Sequence, residues 1–71
     1  MKGSELSIGA KSKIVEFVEG EYALRLMDMG IRPGHSIELV RFAPSKGAAY
    51  IRTETGSYAL RLDELDHILV A

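Results

Sequence analysis

The sequence predicts a mostly β domain: a small, largely antiparallel barrel of about five short strands, with one short α-helix inserted after the first. Three observations carry that reading. Short runs rich in β-branched and apolar residues recur along the chain, bounded by Gly, Pro, Ser and Asp. One stretch, "EYALRLMDM" (21–29), holds Ala, Leu, Met, Glu and Arg and no β-branched residue, as a helix prefers. The length, 71 residues, allows one domain with a thin core, because so short a chain buries only about 60% of the surface it exposes when unfolded.

In chain order, "MKGSE" (1–5) is expected to fray. Leu6 and Ile8 then lead into a first strand, "KIVEFVE" (13–19). The helix follows between Gly20 and Gly30, and its end is the best-specified point of the chain. Gly30 takes a left-handed conformation without a Cβ penalty, which places Leu26 and Ile31 at the two positions whose apolar contact accompanies a Schellman ending. Arg32 precedes Pro33 and is pushed out of the α region, and Pro33-Gly34 fits the centre of a type II turn. The chain therefore turns a sharp corner into "HSIELVRFA" (35–43). There Ile37-Leu39 and Val40-Phe42 fall on opposite alternation phases, so either both faces are buried or a bulge separates Leu39 from Val40. "PSKGA" is a loop, and "AYIRTE" with "SYALRL" forms a hairpin turning near Thr55-Gly56. "DELD" (63–66) suits a single helical turn before a last strand, "HILV" (67–70).

Composition narrows the function. The net charge is −1, with nine basic residues against ten acidic ones, and the charges alternate rather than forming blocks. Nucleic-acid binders generally carry a basic excess on one face, and base-stacking platforms need aromatic residues. With three Tyr, two Phe and no Trp, no nucleic-acid partner is expected. There is no cysteine, hence neither a disulfide framework nor a thiolate metal site, and the reducing cytosol is the expected compartment. No apolar run approaches the roughly 18 residues of a membrane span, so direct membrane insertion is not expected. No catalytic residue is expected either: the chain lacks a cysteine nucleophile, a Walker-type loop and a G-x-S-x-G elbow. Asp63, Glu64 and Asp66 read as solvated capping groups. His35 and His67 share no ligand-like spacing and read as a turn and a strand residue. No metal or cofactor is expected.

The pieces "IGAKSKIVEF", "RLMDMGIRPG", "IELVRFAP", "YALR" and "HILV", in this order over nearly the whole chain, resemble the FeoA family, ferrous-iron transport protein A. The R-L-x-x-M-G-I-x-P-G run is the specific element, since it couples a helix end to a turn at fixed spacing. The resemblance implies an SH3-like barrel with a helix after its first strand. It further implies a cytoplasmic accessory protein of bacterial ferrous-iron uptake that docks on the cytoplasmic part of a FeoB-type transporter. The same barrel closes some iron-dependent repressors, so the alternative is a regulatory or metal-responsive barrel acting on transcriptional machinery. No DNA-reading helices precede the barrel here, and a free-standing protein is expected.

The helix supplies candidate contact residues. At about 100° per residue, Tyr22, Ala23, Leu26 and Met29 share one arc facing the barrel, opposite Glu21, Arg25 and Asp28. Leu24 and Met27 lie on the outer side too. Two apolar neighbours there make either a contact surface, for which methionine is well adapted, or a patch covered by "ELSI" or a loop. The contact reading assigns Leu24 and Met27 to a protein partner, with Arg25 and Arg32 at the rim. Leu26, Met29, Gly30, Ile31, Pro33 and Gly34 build the corner that presents them. Arg41, Arg52 and Arg61 read as solvated or paired, and Tyr50 and Tyr58 as half-buried packing.

Overall fold

The computed structural model describes residues 1–18, 20–45 and 47–71. Its strands are β1 (Lys11–Phe17), β2 (Ser36–Phe42), β3 (Ala48–Thr53), β4 (Gly56–Arg61) and β5 (Ile68–Val70). Helix α1 (Glu21–Asp28) lies between β1 and β2, and the short α2 (Leu62–Asp66) between β4 and β5. The strands form one sheet in the order β4-β3-β2-β1-β5, every neighbouring pair antiparallel. The expected mostly β architecture, with a helix after the first strand, is what the chain adopts.

The inward residues alternate along each strand and enclose a core that includes Ile14, Leu26, Ile31, Ile37, Leu39, Ile51, Leu60, Leu65 and Ile68, all buried. The phase conflict in β2 is resolved by a bulge: Leu39 pairs with Ile51 and Arg41 with Tyr50, leaving Val40 as the extra residue. Ile37 and Leu39 point inward before the bulge, and Phe42 packs against the core after it. A second bulge at Val15 separates Ile14 from Glu16 in β1, which leaves Val15 exposed.

The corner forms as its sequence requires. Gly30 has φ +86°, its N–H donates to the Met27 carbonyl at 2.9 Å, and the Ile31 N–H donates to the Leu26 carbonyl at 3.0 Å. That is the Schellman pair of bonds, and Leu26 and Ile31 are both fully buried. Pro33 and Gly34 occupy the next turn, closed by the His35 N–H on the Arg32 carbonyl at 3.1 Å, with Gly34 at φ +92°. The turn is fastened to β1 on both sides of its apex. Gly34 N–H donates to the Ile14 carbonyl and Ile14 N–H to the His35 carbonyl, each at 2.8 Å.

Several expectations need correction. The first five residues are not frayed. Met1 and Val70 exchange backbone hydrogen bonds at 3.1 and 2.7 Å, Lys2 bridges Leu69, and Gly3–Glu5 form a turn of 3-10 helix. The cause is the free edge of β5, whose unpaired N–H and C=O groups recruit the preceding segment, with Leu6 buried as its anchor. Strand β1 starts at Lys11 rather than at residue 13 and ends at Phe17; of the expected 13–19, Glu19 lies outside the described residues. The hairpin turns at Glu54-Thr55, one residue earlier than expected, because Thr53 pairs with Gly56. His67 caps the C-terminal end of α2 rather than opening β5. Glu64 is buried, not solvated.

Candidate docking surface

The helix is held against the barrel from three sides. Leu26 is its buried anchor, with Tyr22 and Met29 packed half-buried against the core. At the C-terminal end, the Tyr58 hydroxyl of β4 donates to the Met29 carbonyl at 2.8 Å, satisfying an acceptor the helix cannot satisfy internally. Along its length, α1 meets α2. The Tyr22 hydroxyl donates to an Asp63 carboxylate oxygen at 3.1 Å, and its ring lies 4.6 Å from that of His67, tilted by 50°. The hydrogen bond to Asp63, and then the charge of the same carboxylate, push the Tyr22 phenol above its ordinary range, so it stays a neutral donor. His67 is in turn fixed by a 2.7 Å contact between its Nδ1 and the Asp63 carbonyl.

Glu64, expected to be a solvated capping group, does cap α2 but is buried. One carboxylate oxygen accepts the Arg61 N–H at 2.9 Å, and the other lies 3.5 Å from the Arg25 guanidinium. The capping role is the one the sequence suggested, with Glu64 three residues after the residue that starts the helix, as the acidic half of a capping box. Its burial was not suggested, because that depends on how α2 packs in the folded domain.

Against this frame the predicted contact residues separate. Leu24 is 68% exposed, so neither "ELSI" nor a loop covers it. Met27, one turn on, is half-buried. Arg25 is two-thirds exposed, with its guanidinium 3.5 Å from the Glu64 carboxylate, a pair that biases the side chain toward α2. Arg32 is exposed on the turn, and among the described residues no hydrogen bond or ion pair joins its side chain to the other three. Leu24 is therefore the apolar residue that α1 presents, with Met27 half-buried on one side of it and Arg25 turned toward α2 on the other, and Arg32 stands apart on the corner.

Among the described residues no three His, Cys, Asp or Glu side chains converge as a metal site. His35 faces Glu54 at 3.7 Å, and His67 is engaged with Tyr22 and Asp63, on different elements. Thermal melts with and without a strong chelator are expected to superimpose, because among the described residues no set of metal ligands ties the fold together. A fall of about ten degrees on chelation would mean that metal binding contributes to folding.

The comparisons with known proteins fit this geometry. The family model for the FeoA domain matches residues 2–71. The chain belongs to the FeoA family. That family is implicated in ferrous-iron transport. No curated protein matches the chain. Among solved structures, a FeoA-like protein from Clostridium acetobutylicum is 32% identical with a TM-score of 0.92, covering 100% of this chain and 84% of that one. FeoA from Stenotrophomonas maltophilia, solved with zinc and described as a prokaryotic SH3-domain protein, is 27% identical with a TM-score of 0.79, covering 100% of this chain and 89% of that one. A manganese-dependent transcriptional repressor shares the fold alone. It is 11% identical with a TM-score of 0.90, and the match covers 100% of this chain but 35% of the repressor. The FeoA barrel here is thus SH3-like, as the resemblance implied.

Proposed function

We propose that this FeoA-family protein is a non-catalytic, cytoplasmic accessory protein of bacterial ferrous-iron uptake. It docks on the cytoplasmic part of a FeoB-type transporter and modulates transport. Within the family, one observation supports docking through α1: a large apolar side chain, Leu24, stands exposed on a helix whose position is fixed by Leu26, Tyr22 and Tyr58. A rigid element that displays an apolar residue beside a paired arginine pays little conformational entropy on binding. The outer face supplies an anchor (Leu24), an adaptable neighbour (Met27) and a directional donor (Arg25). Likeness to the manganese-dependent repressor extends to the fold alone and adds no support for a role in transcription.

The test is a pull-down of the purified cytoplasmic domain of a FeoB-type transporter on the immobilised protein, with and without guanine nucleotide. Retention in at least one nucleotide state is expected. Absence of retention in every state would contradict the reading.

A further inference from the structure

The chain's net charge conceals a strongly basic face. Strand alternation places residues two apart on the same side of the sheet, so charges that look scattered in sequence segregate in space. The register puts Lys11 opposite Glu38, Lys13 opposite Ser36, Arg52 opposite both Glu38 and Ser57, Tyr50 opposite Arg41 and Ala59, and Arg61 opposite Ala48. Their inward neighbours Ile37, Leu39, Ala49, Ile51 and Leu60 are buried. The outer face of β1-β2-β3-β4 therefore carries Lys11, Lys13, Arg41, Arg52 and Arg61, five of the nine basic residues, all exposed. The acids of this outer face are Glu38, held 3.6 Å from Arg52, and the exposed Glu16 farther along β1, opposite Leu69 of β5. Just beyond β3, Glu54 is engaged with Ser36 and His35.

The middle of this face is shaped. An open trough of about 400 Å³ runs beside the Val40 bulge, lined among others by Val40, Arg41, Tyr50, Arg52 and Ala59. Arg41 lies over the Tyr50 ring at 4.4 Å, and Arg52 pairs with Glu38 at 3.6 Å. Apolar and aromatic side chains and two arginines thus line the same trough.

We propose that this face binds an acidic segment of a partner protein, with an apolar side chain of that segment in the trough and its carboxylates on Arg41, Arg52 and Arg61. Planar guanidinium groups match carboxylates in bidentate geometry. A nucleic-acid strand would want successive exposed aromatic platforms; of the two tyrosines lining the trough Tyr50 is exposed, whereas Tyr58 packs against the core with its hydroxyl on the Met29 carbonyl. An anionic membrane would not need the trough. This proposal does not depend on the transporter reading, because it names the chemistry of the occupant and not its owner.

The experiment records amide chemical shifts of the ¹⁵N-labelled protein during titration with a hexaglutamate peptide interrupted by one leucine. Parallel titrations use its glutamine counterpart, an oligothymidylate and phosphatidylserine vesicles. Expected are shifts confined to β2, β3 and β4 around Arg41, Tyr50, Arg52 and Ala59 with the acidic peptide and none with the glutamine peptide. Affinity should fall as salt rises, and the double variant Arg41→Gln/Arg61→Gln should bind about tenfold more weakly. Arg32→Gln, on the corner, should bind as the parent does. Shifts that are absent or map elsewhere, or equal binding by the double variant, would overturn the proposal. So would tighter binding of the oligothymidylate or the vesicles on this face, which would reassign it to nucleic acid or membrane.

Discussion

Leu26→Ala is expected to destabilise the domain by about 2–5 kcal/mol, the range for emptying a fully buried leucine site. Leu26 has no exposed surface and is the one residue of α1 buried completely in the core. Its partner in the helix-end motif, Ile31, is buried equally, so the cavity opens where helix, corner and barrel meet. A domain this small has roughly 3–5 kcal/mol in hand, so the variant should be largely unfolded at ordinary temperature. Leu24→Ala, on the opposite side of the same helix, should stay within about 0.5 kcal/mol of the parent. Urea midpoints for the two variants give the comparison directly. Similar losses for both would mean that α1 is not oriented as described.

Gly30→Ala comes second, at about 1–3 kcal/mol, from two separable causes. The first is the backbone, since φ +86° is strained for any residue with a Cβ. The second is space, because a Cβ at Gly30 would lie 3.2 Å from Oγ1 and 3.3 Å from Cγ2 of Thr55. Gly34 has nearly the same φ, +92°, but no atom within 4 Å of the corresponding position, so Gly34→Ala should show the backbone cost alone, about 1 kcal/mol. Combining Gly30→Ala with Thr55→Ala should recover part of the difference, which a double-mutant cycle measures. Equal effects of Gly30→Ala and Gly34→Ala would show that the Thr55 contact costs nothing.

What was legible in the sequence follows from how local its cause is. The corner was readable because Gly30, Arg32, Pro33 and Gly34 each restrict the backbone by themselves, and their restrictions agree. The phase slip in β2 was visible, but choosing the bulge at Val40 over two buried faces needed the pairing of Leu39 and Arg41 with β3. The order of residues 1–5 was invisible, since nothing in "MKGSE" is periodic and the segment is held by the edge of β5, far along the chain. Glu64 was legible as a capping carboxylate, but its burial depends on the packing of α2 in the folded domain. In the candidate site, the outward phase of Leu24 came directly from helical periodicity. The half-burial of Met27 did not, because the arc shielded by the barrel is wider than the residues that anchor it. The basic sheet face was hidden for the opposite reason: single charges at alternate positions look evenly mixed until the register aligns four strands.

The outer face of α1, centred on Leu24, is the proposed protein-docking surface. Isothermal titration of a FeoB-type transporter's cytoplasmic domain against Leu24→Glu tests it most directly. That substitution leaves the core untouched, whereas Met27→Glu would also disturb a half-buried position. With native folding of the variant verified by its melting curve, Leu24→Glu is expected to weaken binding by more than about 1 kcal/mol, because the contact would have to desolvate the new carboxylate. A folded Leu24→Glu protein that binds with parental affinity would contradict the claim.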